Sequence, residues 1–96
     1  MPDPIFEWDH KKSEANRRKH GISFELAKRV FADSLAERRI EGDDHGEIRW
    51  QIIGQVGGAL IRVTFTEREE EETEIVRLIS ARRLTRREHR AYEGNT

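Results

Sequence analysis

The sequence predicts an α+β domain with a largely antiparallel sheet, and three observations predict it. Two helical segments with recognisable caps come early in the chain. Four strand-like runs follow them without an intervening helix. A Gly57-Gly58 pair sits between two of those runs, a strong signal for a two-residue hairpin turn. Helices followed by a run of hairpin-linked strands give an α+β pattern rather than a parallel α/β one. At 96 residues, a single domain over 1–96 is expected. A chain this short buries only roughly 60–65% of its unfolded surface, so its core is thin.

The elements read in order as β-α-α-β-β-β-β-α. Residues 5–8 alternate apolar and acidic and form a short first strand. Asp9 is a good N-cap for a helix over 10–20, and Gly21 a good stop. The only apolar interior residue of this helix is Ala15, so no apolar stripe holds it down. Lys12, Asn16 and Lys19 recur at helical spacing and are expected to share one polar face. Ser23 caps a second helix over 24–33, with Phe24, Ala27, Val30 and Phe31 as its core stripe. A weaker strand spans 35–41, and residues 42–46 have turn chemistry. The run 47–56 places Ile48, Trp50 and Ile52 on one face; the run 59–66 alternates Ala59, Ile61, Val63 and Phe65. A Glu-rich loop leads into a last strand over 74–83. Thr85-Arg86-Arg87-Glu88 is a capping box that opens a final helix, stopped by Gly94.

Composition narrows the function classes. Charged residues make up 39% of the chain, yet the net charge is only −1. The balance is local. Residues 75–96 hold six Arg against two Glu, and 10–20 hold five Lys or Arg against one Glu, whereas 66–74 hold six Glu against one Arg. Local potential, not total charge, selects partners. No cysteine is present, so neither disulfides nor thiolate ligands are available, which fits a reducing, cytoplasmic setting. The N-terminal stretch lacks the apolar core of a signal peptide, and no apolar run nears the ~18 residues that span a bilayer. His10, His20, His45 and His89 are scattered, without HExxH or EF-hand spacing, so no metal or other cofactor is expected. No phosphate loop and no serine elbow occur.

What remains is the arginine set. Arg49 and Arg62 fall on the two middle strands, Arg77 and Arg82 on the last strand with Arg83 beside them, and Arg86 and Arg87 on the last helix. An arginine within an apolar strand costs desolvation unless it is paired. Arg62 and Arg77 therefore either pair with a core-edge glutamate such as Glu7 or offer their forks to phosphate. RNA cleavage without a metal needs a base for the 2′-hydroxyl, cations for the crowded oxyanion and an acid for the leaving oxygen. His20, ending the basic helix beside Lys19, is either that proton carrier or a helix cap. Tyr92 either stacks on a base and moves a proton, or packs in the core. The competing class is a basic module that binds RNA or protein without cutting.

These residues also resemble a family. Phe6-Glu7-Trp8-Asp9, Asn16-x-x-Lys19-His20-Gly21-Ile22-Ser23-Phe24, Ala27 and Phe31-x-Asp33 look like the N-terminal half of BrnT-type toxins. Glu47-x-Arg49-Trp50, Gly54, Leu60, Thr66-Glu67-Arg68, Arg77-x-Ile79-Ser80-Ala81-Arg82-Arg83 and Glu88…Tyr92 fit the C-terminal half, so the likeness covers about residues 6–93. It implies a RelE-like fold and a type II toxin–antitoxin role. It implies a ribonuclease that halts translation, neutralised by a ribbon-helix-helix, BrnA-like antitoxin. Operator DNA would be reached only through that antitoxin. The residue-by-residue reading and the family motifs meet at Lys19, His20, Arg77, Arg82 and Tyr92 as catalytic candidates. Lys12, Asn16, Arg49, Arg62, Arg83, Arg86 and Arg87 are the expected RNA contacts.

Overall fold

A computed structural model describes residues 3–94, so the two residues at each end of the expected domain lie outside the described ones. The elements are β1 (Ile5–Glu7), α1 (His10–His20), α2 (Phe24–Ala27), a 3-10 helix (Lys28–Ala32), β2 (Glu37–Asp44), β3 (Glu47–Val56), β4 (Ala59–Glu70), β5 (Thr73–Arg83) and α3 (Arg86–Gly94). The strands form one five-stranded sheet in the order β1-β5-β4-β3-β2. All pairings are antiparallel except β1 with β5, which is parallel, Ile5 lying opposite Ile75. The α+β expectation with a mostly antiparallel sheet holds.

One face of the sheet carries the core. Ile52, Ile61, Val63, Phe65, Val76, Leu78 and Ala81 point towards Ile22, Phe24, Ala27 and Val30 from α2 and its flanks. Phe31 meets Phe6 and Phe65 edge to face, each at 5.0 Å between ring centroids. The 3-10 helix comes so close to β3 that a Cβ on Gly54 would lie 2.9 Å from Val30 Cγ1. Asp33 then ties the two together, accepting from the Gln55 backbone N–H at 2.7 Å. The predicted helix over 24–33 is therefore split: α2 ends after Ala27, and the tighter 3-10 turns carry Val30 against the glycine.

Helix α1 is capped as its sequence indicates. Asp9 Oδ1 accepts from the backbone N–H groups of Lys11 and Lys12, and Gly21 closes the helix at φ 75°. What anchors the helix differs from expectation. Ala15 is exposed, and Asn16, placed on a polar outer stripe by its spacing, is buried at 8% exposure. Its Nδ2 donates to the Ile22 and Ala81 carbonyls at 2.8 Å each, and its Oδ1 accepts from Ala81 N–H at 3.2 Å. The amide thus acts as a peptide group at the free edge of β5, beyond the point where β1 ends. Ser13 adds a second tie, its Oγ accepting from Phe24 N–H. Asn16 is not an exposed RNA contact.

The Glu-rich segment is a second departure. Residues expected to form a loop extend the β4–β5 hairpin to Glu70 and Thr73, with a two-residue turn at Glu71 and Glu72. Both turn residues have positive φ, 47° and 66°. Long-range pairing outweighs low strand propensity here: Arg68 donates to both Glu7 carboxylate oxygens at 2.9 Å and to Glu70 at 3.0 Å. Further along β4, Glu67 Oε2 is buried without a hydrogen-bond partner among the described residues. It faces Glu74, whose pKa is raised because a proton on that carboxyl would serve Glu67.

Candidate active site

The second face of the sheet carries the arginines. Alternation along β4 and β5 puts Val63 and Ala81 into the core, so Arg62 and Arg82 point the other way, directly opposite each other across the two strands. Like charges in that position repel. Glu88, from the first turn of α3, removes the conflict. Its Oε2 accepts from Arg62 Nη1 at 2.7 Å and from Arg82 Nη2 at 2.9 Å, and its Oε1 accepts from Arg82 Nη1 at 2.7 Å. The same carboxylate completes the predicted capping box. It accepts from Thr85 N–H at 2.9 Å, while Thr85 Oγ1 accepts from Glu88 N–H at 3.2 Å. One side chain therefore starts α3 and pins it across the arginine pair. Hydrogen bonds from Arg82, then from the Thr85 backbone, hold the Glu88 carboxyl far below the usual carboxylate range. Arg82 is correspondingly pushed up by Glu88.

Beneath α3 lies a cavity of about 150 Å³, lined by Arg62 and Glu88, by Arg39 and Gln51 from β2 and β3, and by Tyr92 from α3. Burial, then the nearby charges of Glu37 and Asp33, raise the Tyr92 pKa. Its phenol therefore stays protonated at neutral pH and can donate. It reaches the Leu35 carbonyl at 3.5 Å, too long to hold it firmly.

The other sequence-expected residues distribute as follows. Arg77 shares this face but sits five residues along β5 from Arg82, roughly 16 Å away. It pairs with Glu7 at 2.9 Å, the core-edge glutamate alternative. Hydrogen bonds from Arg68, then Arg77, lower the Glu7 pKa to about 2. Arg62 takes the paired alternative too, but with Glu88. Arg49 lies opposite Gly42 at the far end of β3 and does not line the cavity. Arg86 and Arg87 are exposed on α3, and Lys12 is exposed on α1.

Lys19 and His20 end α1, which joins the layer on the opposite side of the sheet through Asn16. Among the described residues no hydrogen bond or ion pair links either of them to Arg82, Glu88 or Tyr92. Arg83 belongs to their side. It points away from Arg82, into an open groove of about 490 Å³ with Ile22, Leu26 and Arg29. The expected catalytic set is thus divided between two faces. Three polar residues of the cavity were not among the expected site residues: Arg39, Gln51 and Glu88. For Glu88 the capping box was a usable signal; for Arg39 and Gln51 only the strand register reveals the meeting.

A family model described as "Ribonuclease toxin, BrnT, of type II toxin-antitoxin system" matches residues 8–88. The chain belongs to the BrnT toxin family. It is accordingly a ribonuclease toxin of a type II toxin–antitoxin system, with RNA as its target and an antitoxin as its partner. No match was found among curated proteins. The BrnT match takes in α1, strands β2 to β5 and Glu88; it begins just after β1 and stops before Tyr92. Among the described residues no group of three or more His, Cys, Asp or Glu side chains could hold a metal ion, and no helix is long and apolar enough to cross a membrane.

Proposed function

We propose that this BrnT-family chain, a single RelE-like toxin domain over 1–96, is a cytoplasmic endoribonuclease that cleaves RNA without a metal, through attack of a 2′-hydroxyl on the adjacent phosphate. The observation that carries the reading is the Arg62–Arg82 pair, fixed on a rigid sheet with its forks already closed on an anion, the Glu88 carboxylate. Arg62 gives Glu88 a single N–H, so most of its donors remain for a phosphate. In the reaction the two guanidiniums bind the scissile phosphate and stabilise the charge that grows on its oxygens. Tyr92, kept protonated, donates to the leaving 5′-oxygen, and the attacking 2′-hydroxyl gives its proton to solvent water, from which the phenolate is reprotonated. Arg77, Arg49, Arg86 and Arg87 draw in the backbone around that point. On the other face, Lys12, Lys19, His20 and Arg83 extend the basic track. The partner is a ribbon-helix-helix, BrnA-like antitoxin that covers the basic surface and alone contacts operator DNA.

Purified protein incubated with RNA and EDTA tests this. The expected result is cleavage that leaves a 2′,3′-cyclic phosphate, is blocked by 2′-deoxy substitution at the cut, and falls about 10²–10³-fold in Arg82→Ala. Inducing the chain alone should arrest growth, and Arg82→Ala should relieve the arrest at equal protein level. The closure of Glu88 over both arginines favours a second reading, a module that binds RNA without cutting. RNA left intact at high protein excess establishes that reading instead.

A further inference from the structure

Gln51 is an anomaly of the arginine face. It is only 5% exposed, yet its carboxamide forms no hydrogen bond to any described residue and opens into the cavity beneath α3. The residue is buried as a whole, but its polar atoms still meet the space of the cavity, so they are open to bond whatever enters it. Packing around it is otherwise complete: Thr64, its cross-strand neighbour, is buried, and its hydroxyl donates to Glu41. The other cross-strand neighbour is Arg39, which lines the same cavity. Two forked polar groups thus stand side by side on the cavity wall, a carboxamide and a guanidinium. Ile53 supplies an apolar surface and Tyr92 a ring.

We propose that this cavity is a nucleobase pocket, with Gln51 and Arg39 as residues that read a purine of single-stranded RNA next to the cut. The inference rests on the ribonuclease reading of the neighbouring arginine pair for its placement beside the scissile phosphate. Gln presents an acceptor and a donor that match the N6/N7 edge of adenine, and Arg presents two donors that match O6/N7 of guanine. Both edges share N7, which pyrimidines lack. Unstacked bases in single strands offer that edge and a ring face, and Tyr92 is positioned to stack on it. The volume, about 150 Å³, suits one base and excludes a duplex.

The decisive measurement is binding, kept separate from cleavage. Oligouridylates with 2′-deoxy sugars at every potential cut, carrying one central adenine, one central guanine or neither, are titrated by fluorescence anisotropy. The expected result is a purine preference of about 5- to 150-fold over uracil, and its collapse towards unity in Gln51→Leu. Arg39→Met, at an exposed position that does not endanger folding, should reduce the guanine preference more than the adenine one. Equal wild-type affinity for all three oligonucleotides overturns the pocket, as does a preference that survives both substitutions. Purine-selective binding without any cleavage of the all-ribose RNA leaves the pocket standing and removes the catalytic reading.

Discussion

Asn16 offers the sharpest test of how this thin-cored domain is held together. Replacing it with Ala removes two donated bonds of 2.8 Å and one accepted bond of 3.2 Å. It leaves the Ile22 carbonyl and both backbone groups of Ala81 without partners. Each unsatisfied buried group costs about 1–3 kcal/mol, and water reaching the β5 edge keeps the sum near the low end, at about 3–5 kcal/mol. At roughly 0.05–0.15 kcal/mol per residue, the whole chain has about 5–14 kcal/mol to lose. The melting temperature should therefore fall by about 15–30 °C. Asn16→Asp should be no milder, since it keeps the acceptor for Ala81 N–H but turns an oxygen towards two carbonyls. Urea denaturation followed by Trp8 and Trp50, both packed against the core, gives the free energy directly. A loss under about 1 kcal/mol, combined with weakened RNA binding, would refute the structural role and restore the surface role that the helix spacing suggests.

Further expectations concern the other ties. Glu88→Ala removes a capping box and leaves Arg62 facing Arg82 uncompensated; a loss of about 2–3 kcal/mol is expected, with amide exchange in α3 rising more than in β3. Glu7 has its pKa lowered to about 2, so the stability it contributes is complete above its ordinary value of 4.5 and is lost as pH falls through about 2. Glu7→Gln should accordingly lose less stability than wild type between those two pH values, and identical acid profiles would remove the Arg68–Glu7–Arg77 network from the account. Gly54→Val drives side-chain atoms into Val30 and Asp33 and should cost at least about 1–3 kcal/mol by urea titration. Replacing Glu71 and Glu72 by Asn and Gly suits a turn whose two central residues both have positive φ; the melting temperature should rise, and a fall would mean that the turn is held by its glutamates.

Features set by neighbours in the chain were readable from the sequence. The Asp9 and Ser23 caps, the Gly21 stop and the Thr85–Glu88 box depend on residues at most a few positions apart, and all appear as expected. Alternation located Ile61, Val63 and Phe65 in the core. Ile48, on the same alternation as Trp50 and Ile52, lies beyond the helical cover and is 45% exposed, so period alone cannot tell where a covered face ends. Asn16 was misplaced for a physical reason: a polar helix leaves no apolar stripe to show which side is buried, and one amide that pairs with an edge strand produces no periodic signal. The Glu-rich stretch failed differently, because backbone pairing with β5 and the Arg68–Glu7 contact supplied what strand propensity lacked. The site was half visible. The arginines stood out by composition, whereas the meeting of Arg39, Gln51, Arg62 and Glu88 is a product of sheet register and of a helix folding back over 26 residues of chain.

The parallel pairing of β1 with β5 has a consequence for the order of synthesis. Ile5 leaves the ribosome early, but its partner, Ile75, is made 70 residues later. Until then the first strand has no sheet to join, and Glu7 waits for Arg68 and then Arg77. The arginine pair is completed later still, when Arg82 and finally Glu88 emerge. Loop closure over such a span is slow compared with forming the β3–β4 hairpin, which is joined by two residues. Once β4 is out, a nascent chain therefore carries a formed hairpin and an unformed site until Glu88 follows. Chains stalled before Arg82 should be sensitive to protease at β1 and unable to bind RNA on the arginine face, and those released after Glu88 should be protected at both. A toxin directed at RNA is in this way without its closed arginine site until Glu88 has been made.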